Sequence, residues 1–282
     1  MLSASYAHDM TISRKLSSLA AVVLLAGLSL SACGDKDDSA DDKSGSKSAG
    51  GGAATLTEAN FSDVLTDSQV KAKSAHVDMK VGVGGQSVEA TGDVGVGSSP
   101  EDSAMSMTMD LGSSMSFEMR LVDQVMYMNM GQMTEGKFLK IDLIDESNPF
   151  AKQYGQLTDQ MDPAKQMDQL KEAVTSFEKK GEPKTIDGVE AQPYVVTVDT
   201  SKIEAFQDLP SASSGQIPDT IVYTMYVGPD DLPRRMEFDV AGSKTTMDYS
   251  KWGEPVDIKA PPAGEVSDKD FSDLGGFPTP AA

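Results

Sequence analysis

The side chains that most often carry catalysis give little support for an active site in this chain. His76 is one of two histidines, and it lies beside Asp78 on the polar side of a predicted strand. A surface histidine accounts for this position, and there is no second histidine or cysteine near it to complete a zinc site. No nucleophile-elbow pattern is present. The run from Val81 to Gly85 predicts a hairpin, since no helix follows as a dinucleotide fingerprint requires. We expect no catalytic residue, no metal ligand, no cofactor and no enzymatic activity.

The one cysteine, Cys33, has surroundings that predict a specific modification. Arg14 and Lys15 precede about fifteen mostly apolar residues, 16–30, and small residues then lead to Cys33. This is the layout of a secretory signal, and the run is too short to span a bilayer. Leu30-Ser31-Ala32-Cys33 is typical of a lipobox, in which the cysteine receives acyl groups such as palmitate. The alternative is an ordinary signal peptide that ends near an unpaired cysteine. Met10 is an alternative start to Met1.

The composition indicates how the predicted mature protein meets the membrane. The formal net charge of −20 for the whole chain disfavours nucleic acid and anionic headgroups as partners, so the membrane link depends on the acylated Cys33. Residues 34–54 are rich in Gly, Ser, Asp and Lys and predict a flexible tether. We therefore expect a signal peptide over 1–32, a lipidated cysteine and tether over 33–54, a folded domain over 55–262 and a flexible tail over 263–282.

Hydrophobic periodicity predicts an α+β domain built on a large antiparallel sheet. A helix with Thr57 as its N-cap is expected up to Lys73, and Asn148-Pro149 and Asp162-Pro163 each predict another helix start. The second of these is expected to place Val174 and Phe177 on one helical stripe. Strands are predicted at 76–83, 88–96, 105–111, 115–121, 124–130, 137–143, 184–186, 192–198, 220–227, 234–240 and 244–250.

Methionine is concentrated on the predicted strands. Residues 105–133 contain nine of the chain's 17 methionines, and alternation puts them on single strand faces. Strands favour Val and Ile, whereas the flexible thioether chain suits partners of varied shape. The alternative is that these methionines only fill a core. The side chains that we expect to line a lipid pocket are Met107, Met109, Phe117, Met119, Met126, Met128, Val196, Met225 and Phe238.

Several strings in the chain resemble the LppX/LprG family of actinobacterial envelope lipoproteins, within the LolA-like superfamily. Besides the lipobox, they run from Ser74 to Val77, from Ile221 to Gly228, from Asp231 to Arg235, and from Tyr249 to Val256, continuing to Pro262. The resemblance implies a strongly curved antiparallel half-barrel, with helices across its concave face and a cavity for acylated lipids or glycolipids.

Together these observations predict an exported lipoprotein on the outer face of the cytoplasmic membrane that binds or transfers lipids or glycolipids. An envelope transporter is a candidate partner. One alternative is a non-enzymatic interaction or regulatory module of the envelope without a lipid ligand. Another is a hydrolase that uses two converging carboxylates, a geometry that one sequence does not reveal.

Overall fold

The computed structural model describes residues 56–83, 86–97, 99–110, 116–145, 171–203, 218–240 and 242–269. The predictions for Cys33, for Met115 and for the helix starts at Asn148 and Asp162 lie outside these residues.

A 12-stranded antiparallel sheet dominates the described residues. The strands are β1 (Ser74–Val83), β2 (Gln86–Gly95), β3 (Ala104–Asp110), β4 (Ser116–Val122), β5 (Val125–Asn129), β6 (Leu139–Asp142), β7 (Val174–Lys179), β8 (Lys184–Ile186), β9 (Val189–Asp199), β10 (Thr220–Val227), β11 (Pro233–Val240) and β12 (Ser243–Ser250). Their order is β6-β5-β4-β3-β2-β1-β12-β11-β10-β9-β7, with β8 also paired to β9. The sheet is open, because β6 and β7 end this order. The predicted large antiparallel sheet is confirmed, and a curved half-barrel is consistent with it, whereas helices are few among the described residues.

Helix α1 (Phe61–Ala72) begins later than the sequence predicts. Asn60, not Thr57, occupies the N-cap position, but its side chain makes no capping hydrogen bond and instead accepts a 2.7 Å hydrogen bond from the Thr57 N–H. The helix ends at Lys73, which adopts a left-handed conformation and donates its N–H to the Gln69 carbonyl. Four short 3-10 helices, Pro100–Asp102, Gly131–Thr134, Thr200–Lys202 and Ala263–Glu265, accompany α1. Within the described ranges, no helix has both the length and the apolar character needed to cross a bilayer.

Strand β7 replaces the end of a predicted helix. Residues 171–173 are helical, but Val174 and Phe177 lie on a strand, so their assignment to a helical stripe is wrong. They pair with Val198 and Val196 of β9, and an irregularity between Val174 and Ser176 shifts the register. A β-bulge adds one residue to a strand. Two side chains that are three positions apart therefore point to the same face, a spacing that imitates a helix.

The pairing register gives the sheet one continuous apolar face. One row crosses it from Met109 of β3 through Ala90, Met79, Met247, Met236 and Met225 to Tyr194 of β9. Directly paired residues point to the same side of a sheet. The main core cluster lies on this side and also receives Phe61 and Leu65 of α1. In β1, Val77, Met79 and Val81 lie on this face and are buried.

Residues beyond the predicted domain end contact the edge of the sheet. The sequence predicts a flexible tail from residue 263, whereas Val266 forms a parallel bridge with Phe138, the residue before β6. The Phe138 N–H donates to the Glu265 carbonyl, and the Ser267 N–H donates to the Phe138 carbonyl, both at 2.8 Å. The segment 263–267 therefore lies beside edge strand β6.

Candidate functional site

All nine predicted lining residues lie on the apolar face. Met128, Met119 and Met107 form one row on β5, β4 and β3. The other six occupy neighbouring positions on the same face, namely Met126, Phe117, Met109, Met225, Phe238 and Val196. The alternation pattern thus identified the correct side of each strand.

Burial divides these residues into two groups. Val196, Met225 and Phe238 are only 0–5% exposed and belong to the packed main core. Met126 and Met128 are also buried, in a second cluster with Ile141 and Leu143. By contrast, Met107, Met109, Phe117 and Met119 are half-buried. The open part of the apolar face is therefore on β3 and β4.

We name this open part the methionine surface. It consists of the half-buried side chains Met105, Met107, Met109, Phe117, Met119 and Leu121. On one side lie the buried residues Ala90 and Val94 of β2, and on the other lie Met126 and Met128 of β5. The methionine surface is therefore a half-buried apolar strip that packs against a buried cluster on each side.

Gly92 sets how closely β2 approaches β3 behind this surface. Gly92 pairs with Met107, and a Cβ at Gly92 would lie 2.0 Å from the Ser106 carbonyl oxygen and 2.7 Å from the Met107 sulfur. No other residue fits there without moving the backbone, since glycine within a strand permits such close approach. Met107 therefore occupies space that a side chain at position 92 would take.

Helix α1 covers a different part of the apolar face. Phe61 stacks on Phe177 of β7 at 4.7 Å between ring centroids, and Phe177 stacks on Tyr194 of β9 at 5.1 Å. An ion pair of 2.8 Å joins Asp63 to Lys171 at the start of this region. These contacts fix α1 over the β7–β9 end of the sheet, while the methionine surface lies on β3 and β4.

The polar groups on the apolar face are few and carry no catalytic arrangement. Burial raises the pKa of the Tyr223 phenol, and burial together with the charge of Asp231 raises that of Tyr194. Both phenols are therefore neutral at physiological pH. Arg234 is buried on this side, and its Nη2 donates to Asp230 at 2.5 Å. Trp252 stacks on Tyr249 and donates its Nε1–H to the Pro233 carbonyl.

The opposite face of the sheet brings His76 close to partners that the sequence does not reveal. His76 Nδ1 lies 2.7 Å from Asp93 Oδ1, and its Nε2 lies 3.2 Å from the Thr91 hydroxyl. Thr91 donates its hydroxyl hydrogen to Asp78 at 2.8 Å, so that hydrogen is not directed to His76. This order of groups therefore does not activate Thr91 as a nucleophile. In the described part of the chain, no group of three or more His, Cys, Asp or Glu residues could hold a metal ion.

The polar face is otherwise an array of ion pairs. Arg235 binds Asp248 through Nε at 2.5 Å and Nη2 at 3.0 Å, and this hydrogen bonding raises the pKa of Arg235. Lys184 donates to the Tyr226 hydroxyl at 2.8 Å. Paired charges of this kind are ordinary on a surface that faces water and do not indicate a binding site. The methionine surface is therefore the candidate functional site.

Comparisons with known proteins agree with the predicted resemblance. No protein-family model and no curated protein matches the chain. Among solved structures, it is similar to LprF from Mycobacterium bovis, with 19% identity over 74% of this chain and 99% of LprF and a TM-score of 0.46. It is also similar to the lipoprotein LppX from Mycobacterium tuberculosis, with 15% identity over 72% of this chain and 100% of LppX and a TM-score of 0.45. The resemblance to LppX/LprG-type lipoproteins that the sequence predicts is thus confirmed as a structural similarity.

Proposed function

We propose that this protein is an exported, membrane-anchored lipoprotein that binds acylated lipids or glycolipids on the apolar face of its sheet. The observation that supports this is the methionine surface. Its side chains are half-buried, although strands on both sides of them are buried in packed clusters. Bound acyl chains would remove this remaining apolar area from water, which is the main source of affinity for such ligands.

The dimensions of the face fit an acyl chain. Along β3 the half-buried strip runs from Met105 to Met109, four residue steps or about 13 Å. The acyl chains of one bilayer leaflet span about 15 Å. Burial of about sixteen carbons at about 0.8 kcal/mol each contributes on the order of 10 kcal/mol before the cost of association. No directed hydrogen bond is needed, so specificity for the headgroup is loose.

A lipid anchor and a flexible tether hold the domain at the membrane in this proposal. Cys33 carries the acyl anchor, and the tether of 21 residues lets the domain extend about 25 Å from the outer face of the cytoplasmic membrane. Helices across the concave face, as the family resemblance implies, enclose the ligand. The domain delivers its lipid to, or receives it from, an envelope transporter.

The direct test is mass spectrometry of organic extracts from the purified mature chain carrying Cys33→Ser, which removes the anchor lipid. We expect acylated lipids to be recovered at a constant ratio to protein. Circular dichroism establishes that the protein is folded. If folded protein repeatedly yields no lipid and instead copurifies with another envelope protein, the interaction-module alternative replaces this proposal.

A pair of matched variants tests the location of the site. Met107→Gln puts an amide into the middle of the methionine surface, whereas Thr108→Gln puts it on the opposite, exposed face of the same strand. Burying an amide without a partner costs about 1–3 kcal/mol. We therefore expect Met107→Gln to weaken binding of a fluorescent fatty acid by about tenfold and Thr108→Gln to leave it unchanged. Equal effects of the two substitutions would place the ligand elsewhere.

A further inference from the structure

Thioethers make up most of the methionine surface, although acyl-chain binding does not require sulfur. Four of its six side chains are methionines, namely Met105, Met107, Met109 and Met119. Leucine, valine or isoleucine would give a comparable apolar area, and the β-branched residues suit strands better. What methionine adds at each position is a thioether that can be oxidised to a sulfoxide and reduced again.

These four thioethers are open to a small oxidant from solution. Met105, Met107 and Met109 alternate along one face of β3, and Met119 of β4 pairs directly with Met107. All four side chains are half-buried, so each keeps part of its area in contact with water. An oxidant that reaches this part of the sheet therefore meets several thioethers side by side.

The other described methionines on the apolar face are enclosed by their neighbours. Each is 8% exposed or less, and they are Met79, Met126, Met128, Met225, Met236 and Met247. The Tyr249 hydroxyl lies 3.7 Å from the Met236 sulfur and 3.9 Å from the Met247 sulfur, so it fills space beside both. Oxidation requires contact between the oxidant and the sulfur. We therefore expect these six thioethers to react much more slowly than the four of the methionine surface.

Oxidation at half-buried positions should affect ligand binding more than the fold. Hydrogen peroxide transfers one oxygen atom to the sulfur: the O–O bond breaks, an S–O bond forms, the sulfur gives up two electrons, and water is released. The product is a polar side chain. In the free protein its oxygen remains in contact with water. A bound acyl chain would cover that oxygen and leave it without a hydrogen-bond partner, which weakens binding.

We propose that Met105, Met107, Met109 and Met119 are sites of reversible oxidation, and that their sulfoxides prevent lipid binding. A peroxide is the oxidant. A thiol-dependent methionine sulfoxide reductase restores the thioether, with two thiols oxidised to a disulfide and the oxygen released as water. The inference rests on the proposed lipid-binding function and adds a means of regulating it.

The test treats the mature chain with hydrogen peroxide, using the Cys33→Ser form to remove the competing thiol. Peptide mass spectrometry follows each methionine, and binding of a fluorescent fatty acid is titrated at the same time points. We expect the four surface sulfoxides to form well before those of Met79, Met236 and Met247. Affinity should fall by about tenfold or more over the same period, with the circular dichroism spectrum unchanged.

Two further measurements connect the oxidation to the site. Reductases for both sulfoxide epimers, with dithiothreitol as the thiol, should restore fatty-acid binding. Saturation with fatty acid before peroxide is added should slow oxidation of the four surface methionines and leave that of Met133 unchanged, because Met133 is 53% exposed and lies outside the methionine surface.

Matched variants assign the effect to particular sulfur atoms. Met133→Leu should lose fatty-acid affinity on peroxide treatment, as the parent protein does. With leucine in place of all four surface methionines, peroxide should no longer change the affinity, whatever its starting value. Should that variant fail to fold or to bind, the residue-by-residue time course of the parent protein decides.

The proposal is overturned if oxidised protein binds fatty acid as tightly as untreated protein. It is also overturned if the loss of affinity follows oxidation of Met133 or of a buried methionine, or if the protein unfolds as binding is lost. Untreated, folded protein that binds no fatty acid refutes the lipid proposal, and this inference is refuted with it. Binding that is insensitive to peroxide refutes the regulation alone.

Discussion

Substitution of Gly92 by alanine is expected to destabilise the sheet where it supports the methionine surface. The added Cβ would lie 2.0 Å from the Ser106 carbonyl oxygen and 2.8 Å from the Met107 Cα, and both are backbone atoms that no rotamer change can move. Strands β2 and β3 must therefore separate locally. Overpacking of this kind lowers the free energy of unfolding by up to about 3 kcal/mol. Alanine also restricts the unfolded chain more than glycine does, which raises the free energy of unfolding by about 0.7 kcal/mol. The expected net loss is about 2 kcal/mol.

Gly95 provides the control because it lies on the same strand and also faces β3. A Cβ at Gly95 would have its nearest contact, the Ala104 carbonyl oxygen, at 3.7 Å. Gly95→Ala should therefore leave stability unchanged or raise it by less than about 1 kcal/mol. Urea unfolding followed by circular dichroism measures the stability of both variants. We expect Gly92→Ala to lower the urea midpoint and to leave the m-value unchanged. For a domain of this size we expect Gly92→Ala to melt about 6 °C lower. If the two variants are equally stable, the close approach of β2 and β3 is refuted.

Three further substitutions probe contacts that position the sheet and α1. Asp230→Asn removes the carboxylate that neutralises buried Arg234, and since Asp230 is itself 46% exposed we expect a loss of about 2 kcal/mol in urea unfolding, less than for a fully buried pair. Phe177→Ala removes the ring that stacks on two others, and should cost about 3 kcal/mol and speed amide exchange in α1, whereas Phe177→Leu should retain most of the stability. Hydrogen bonds from the Ser201 hydroxyl and N–H lower the pKa of Asp199, so its contribution is present at neutral pH and is lost as pH falls through that lowered pKa. NMR titration should place the Asp199 midpoint below that of an ordinary aspartate, and Ser201→Ala should raise it; an unchanged midpoint would contradict this assignment.

Alternation along single strands was sufficient to predict which side of the sheet each methionine occupies. It was not sufficient to predict how deeply each side chain is buried. Phe238 and Met107 have the same periodic signal, but Phe238 is packed into the main core and Met107 stays half-buried. The burial of a side chain depends on which elements pack over its strand, and those contacts are between residues distant in the sequence.

Errors in the predicted elements have local physical causes. At β7 a bulge gave Val174 and Phe177 a helical spacing, and the pairing with β9 decided the outcome. Before α1, the Asn60 N–H donates to the Thr57 carbonyl at 3.2 Å, so residues 57–60 form a turn and the helix begins after it. The contacts of His76 with Thr91 and Asp93 depend on the β1–β2 register and have no signature in the sequence itself.

The bridge between Val266 and Phe138 has a consequence for self-association of the protein. An uncovered edge strand offers free N–H and carbonyl groups to any other chain, and so promotes sheet extension between molecules. Anchoring at one surface, as proposed above, would bring such edges together often. Residues 265–267 occupy the backbone N–H and carbonyl of Phe138, so these groups are not available to another molecule. A chain truncated at Pro262 should therefore self-associate more readily at high surface density.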